Sequence, residues 1–254
     1  MEIITVTAVL VALAAATRGV WSPCGLSMLT SINPVSERGR NHRFGVTAGW
    51  FIIGGVLGGA TLGLGAAILA LVVRSTGIGL EARLATGAAL AVLATLLDLG
   101  ILGVTMPVIR RQVNERWLDE FRGWFYGVGF GWQIGVGVAT YVMTAAVGLL
   151  VVLAALTGQP IVAMAVCVLF GLVRGSWVLL TARVRTPDAL RSLLARLDRL
   201  EEPVRRAVMG VELVAGVLLA AAVGAWLAVV LVAVSVVSVA LRVGSSRRVS
   251  RSAS

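Results

Sequence analysis

The chain has 254 residues, 58% of them hydrophobic and only 13% charged, and its mean hydropathy is +0.96. A soluble domain would be about a quarter charged, and several apolar stretches exceed the roughly 18 residues that mark a membrane span, so the composition argues against a soluble globular protein. The apolar runs are continuous rather than alternating, which argues against a β-barrel. The net charge of +10 comes entirely from arginine, because the chain contains no lysine. Arginine bias with abundant Ala, Val and Gly points to a GC-rich bacterial genome. The arginines are spread over several loops, which fits loops facing anionic lipid and not a basic face for nucleic acid.

In chain order, a first span is expected over residues 3–32, interrupted at Trp21-Ser22-Pro23-Cys24. Its first charge is Glu2 and no arginine precedes the apolar run, so it reads as a retained span and not as a cleaved leader. Arg38, Arg40 and Arg43 follow in a loop that also holds the single histidine, His42. A second span over 44–73 carries glycines four apart, at Gly45 and Gly49, Gly54 and Gly58, Gly55 and Gly59, and Gly59 and Gly63. Such spacing lets helix backbones approach closely in lipid. A third span covers 82–106 and stops at Pro107. The connector 107–123 repeats Ile109, Val113, Trp117 and Phe121 among arginines, as an amphipathic segment on the membrane surface does. A fourth span is expected over 124–156 and a fifth over 160–182.

After Thr186-Pro187, Leu190, Leu193, Leu194, Leu197 and Leu200 share one face of an amphipathic helix, 187–203, that is expected to end near Pro203. The last apolar run, 207–241, is long for one span and short for two; a tight hairpin around Gly224-Ala225-Trp226 is the other reading. Residues 244–254 read as a basic disordered tail.

Arginine placement puts the loops after spans one, three and five in the cytoplasm and the N-terminus outside. The basic tail then violates the rule for six spans or requires a seventh. The expected fold is all-α: a polytopic membrane helical bundle of about six transmembrane helices in a bacterial plasma membrane. A first half, 1–106, faces a second half, 124–243, as a 3+3 inverted repeat.

Four charges lie in apolar stretches: Arg18, Asp98, Arg174 and Glu212. An unpaired charge in a membrane is costly, so Arg18 is expected to pair with Asp98, and Arg174 with Glu212, either as interhelical clamps or as a relay or gate. Gln133, Thr140, Tyr141, Thr144 and Thr95 add polar groups that line a polar path or bond neighbouring backbone. His42 has no clustered ligands beside it, and no metal or other cofactor is expected. No phosphate loop, haem-attachment pair or Ser-His-Asp set is present. Cys24 and Cys167 both fall in apolar segments, where a small buried hydrophobe is the plain reading. Pro23 breaks the helix ahead of Cys24 and opens a new helix N-terminus whose free amides favour an anion, the environment of a reactive thiol.

A first span ending in Ser22-Pro23-Cys24, a short basic loop containing Pro34, and a glycine-rich second span resemble the CcdA/DsbD membrane domain of cytochrome c biogenesis, a family similar to the LysE-type exporters. The resemblance covers about residues 1–182 in span pattern. It implies a thiol-disulfide electron carrier with a thioredoxin-like partner, with Cys24 as the redox residue; Cys167, in span five and not span four, is a displaced partner only if spans one and five bring the two sulfurs to disulfide geometry. The second half has Gly135 where that family places its second cysteine. A LysE-like transporter of a small solute or ion, and a non-catalytic scaffold whose amphipathic loops bind a cytosolic partner, remain open beside it.

Overall fold

The computed structural model describes residues 1–100, 122–137 and 144–224. Among the described residues the chain is helical and contains no strand. Five helical stretches are long and apolar enough to cross a membrane. The connector residues Ile109, Val113, Trp117 and Phe121, the polar residues Thr140 and Tyr141, the hairpin beyond Gly224 and the tail 244–254 lie outside the described residues.

The first apolar run is two helices, α1 (Glu2–Arg18) and α2 (Pro23–Ser31), joined by a 3-10 turn at Gly19–Trp21. A short α3 (Pro34–Gly39) follows, started by Asn33, whose side-chain oxygen accepts from the amides of Val35 and Ser36. Asn41, at φ 59°, turns the chain into α4 (Phe44–Ser75), the left-handed conformation that Asn tolerates best after Gly. Next come α5 (Leu80–Asp98), α6 (Gly123–Val136), α7 (Ala146–Leu156) and α8 (Pro160–Ser176), the last extended by a 3-10 segment at Trp177–Thr181. The expected fourth span is thus described as two helices, α6 and α7.

The final helix, α9, runs unbroken from Pro187 to Val223 with Pro203 inside it. This corrects the expectation of an amphipathic helix ending near Pro203. Proline removes one backbone hydrogen bond, but ion pairs bracket the position. Glu202 accepts from both Arg205, at 2.8 Å, and Arg206, at 2.8 Å, one turn further on.

Helix α4 lies between α6 and α8, and α5 packs on α9. Helix α1 touches α7, α8 and α9. The glycines of α4 divide by face. A Cβ at Gly54 or Gly58 would strike α6 backbone at Val128 or Trp132, and one at Gly55 or Gly59 would strike α8 backbone at Gly171 or Cys167. Gly45 and Gly49 meet nothing within 4 Å. The small-residue spacing therefore packs the subunit on two sides at once.

Candidate functional site

The break between α1 and α2 is built by its own residues. Ser22 caps α2: its Oγ accepts from the Gly25 amide at 3.0 Å and donates to the Gly19 carbonyl at 2.7 Å. Pro23 occupies the first turn of α2, where its missing N–H costs nothing. Arg174, at the end of α8, lays its guanidinium where a Cβ of Gly19 would be, so a larger residue there would displace it. Its Cζ stands 5.6 Å from the centre of the Phe170 ring, and it lies within electrostatic reach of Cys24. The Trp21 indole donates to the Leu197 carbonyl at 2.8 Å and ties the break to α9. Replacing Trp21 with phenylalanine keeps an aromatic ring but removes that bond and some buried ring surface, and is expected to cost at least about 1 kcal/mol; unfolding in detergent measures it, and an unchanged midpoint would mean that the bond does not hold α9.

Cys24 and Cys167 are both buried and form no disulfide. Cys167 belongs to the α4–α8 seam, with its carbonyl against Gly59 and its Cβ against Gly63. It acts there as a small residue that lets two helices meet.

The expected charge pairs are not those formed. Arg18 bonds Glu201 of α9 at 3.1 Å, not Asp98. The unbroken α9 carries Glu201 past the end of α1. Asp98, at the end of α5, is held by the start of α7: it accepts from the Thr144 hydroxyl and from the Ala145 amide. Arg174 sits at the α1–α2 break and does not bond Glu212. Glu212 is fully buried, and neither of its carboxylate oxygens has a hydrogen-bond partner among the described residues. Asp98 and Thr144 are its polar neighbours, but the Thr144 hydroxyl proton is directed to Asp98. Gln133 is half-buried on α6, and Thr95 donates only to the Ala91 carbonyl of its own helix.

A second polar cluster was missed from the sequence. Glu37 of α3 is fully buried. It accepts from the Tyr126 hydroxyl at 2.7 and 2.8 Å, from Thr47 at 2.5 Å and from Arg40 at 3.4 Å. His42 Nδ1 lies 3.2 Å from the same Tyr126 oxygen. Since that hydroxyl donates to Glu37, the imidazole serves it as an N–H donor. The only sequence signal was one acid in an otherwise basic loop. Among the described residues no group of His, Cys, Asp and Glu could hold a metal ion.

The chain is similar to MauF. The relative from Paracoccus denitrificans, "Methylamine utilization protein MauF", is 34% identical over 162 residues, 61% of this chain and 56% of that one. The MauF proteins of Paracoccus versutus (32% identical, 61% of this chain, 57% of theirs) and Methylorubrum extorquens (32% identical, 49% and 44%) bear the same name. The chain spans about half the length of the curated relatives it matches. No family model matches it, and no solved structure matches it.

These relatives overturn the resemblance to the CcdA/DsbD membrane domain, and with it thiol-disulfide electron transfer and cytochrome c biogenesis. They do not favour LysE-like transport or a non-catalytic scaffold either. The physical ground of the error is that Ser22-Pro23-Cys24 is a helix break before it is a redox motif. Serine caps the new helix, proline starts it, and a small buried residue follows.

Proposed function

We propose that the chain is a bacterial plasma-membrane protein that serves methylamine utilization, as its MauF relatives are named to do. The observation that carries this reading is the 162-residue stretch at 34% identity with MauF of Paracoccus denitrificans. In this reading the N-terminus is outside, because Arg38, Arg40 and Arg43 after α2 and Arg183 and Arg185 between α8 and α9 mark cytoplasmic connections. Six spans form two inverted halves. Packing supports the repeat: α4 meets its counterpart α8, α5 meets its counterpart α9, and the broken helices α1–α2 and α6–α7 meet through α1 and α7.

Within this scaffold the activity depends on Glu212. A buried carboxyl without a partner lowers stability, so its retention there is explained by use and not by packing.

The test is complementation of a Paracoccus denitrificans strain lacking MauF, grown on methylamine as the carbon source. The chain is expected to restore growth. Glu212→Gln is expected to abolish that growth while its membrane level and thermal midpoint stay equal to or above the parent's, since the substitution replaces a buried ionisable group with an amide of the same shape. A chain that accumulates in the membrane without restoring growth would sink the assignment. Growth undiminished by Glu212→Gln would remove Glu212 from the function.

A further inference from the structure

A cavity of about 740 Å³ opens where α4 and α6 begin, beside the buried Glu37 cluster. Among the described residues its charged lining is Arg43 and Arg122, His42 lines it as well, and no acid does. Both arginines are exposed, and among the described residues neither makes an ion pair. Glu37, in the cluster beside it, has its oxygens taken up by Tyr126, Thr47 and Arg40. His42 spends Nδ1 on Tyr126, which leaves Nε2 as its remaining polar atom.

The rest of the lining is apolar and aromatic. Trp50 and Trp124 stand with ring centres 6.4 Å apart and are 39% and 51% exposed. Partly exposed tryptophans beside arginines, at the ends of two apolar helices, are what the headgroup level of a bilayer selects. Two arginines and two tryptophans lining one cavity fit a ligand with a phosphate at one end and hydrocarbon at the other.

We propose that this cavity binds the headgroup of an anionic phospholipid, with the phosphate between Arg43 and Arg122 and the glycerol and upper acyl chain against Trp50 and Trp124. The inference stands independently of the methylamine reading.

Native mass spectrometry of the detergent-purified chain, titrated with dioleoylphosphatidylglycerol or with dioleoylphosphatidylcholine, tests it. The anionic lipid is expected to bind more tightly. Each guanidinium near an anionic headgroup contributes about fivefold, so the double variant R43Q/R122Q should lose about thirtyfold of that affinity and either single variant about fivefold. Arg38→Gln, an exposed arginine that does not line the cavity, should lose none. Inorganic phosphate at the same concentration should leave the lipid bound. Equal binding of the two lipids, or phosphatidylglycerol binding that survives both single variants and the double one, would overturn the proposal. Displacement by inorganic phosphate would reassign the cavity to a free anion and equally overturn the lipid.

Discussion

Gly55→Leu is expected to prevent the bundle from assembling. Gly55 sits where three helices meet. A Cβ added to it would press on the Gly171 carbonyl and the Gly175 Cα of α8, and a Cβ on Gly135 of α6 would press back on the Gly55 carbonyl. Overpacking against movable side chains costs about 1–3 kcal/mol. Here the obstacle to a side chain on Gly55 is α8 backbone, which cannot rotate away, so the loss should exceed the upper end of that range. Gly65→Leu is the control. It lies on the same helix but faces open space with nothing within 4 Å, and its expected change is within about 0.5 kcal/mol. The readouts are the monodisperse fraction on gel filtration in detergent and the thermal midpoint. Equal behaviour of the two variants would mean that α4 is not packed backbone to backbone on α8.

Glu37→Ala carries the second large effect. The substitution leaves the Tyr126 hydroxyl, the Thr47 hydroxyl and the Arg40 guanidinium without their shared acceptor. Removing one partner of a buried ionic cluster costs about 3–5 kcal/mol, most of it the desolvated groups left behind. Glu37→Gln keeps one acceptor oxygen and should lose less. Arg38→Ala, next in sequence and exposed, should be near neutral. Since Glu37 joins α3 to α4 and α6, the loss should also loosen the approach of α6 to α4, visible as faster amide exchange over Gly123–Val136. If Glu37→Ala unfolds no earlier than Arg38→Ala, the cluster is not what fixes α3 to the bundle.

Much of the architecture was legible in the sequence, and the reasons are local. Apolar runs of span length give helices whatever surrounds them, because an unpaired backbone cannot sit in lipid. Ser22-Pro23 announces a helix start by its own chemistry, and α2 begins there. The glycine spacing of α4 announces close packing, though not that two partners share it by face. The same local reading misled where one motif serves two purposes: Ser22-Pro23-Cys24 suggested a redox carrier, the MauF relatives overturn that resemblance, and the structure has a helix break there.

What the sequence could not determine was which charge meets which. Arg18 and Asp98 are both legible as costly charges, yet their partners are Glu201 and the Thr144–Ala145 start of α7. That choice depends on whether α9 bends at Pro203, a balance between one lost backbone bond and the Glu202 ion pairs. It also depends on which helix ends the fold brings together. Glu37 was invisible for the same reason, since its donor Tyr126 is 89 residues away. Hydropathy and capping act within a turn or two and are written along the chain. Ion pairs and buried acceptors act across it, so only the assembled bundle decides them.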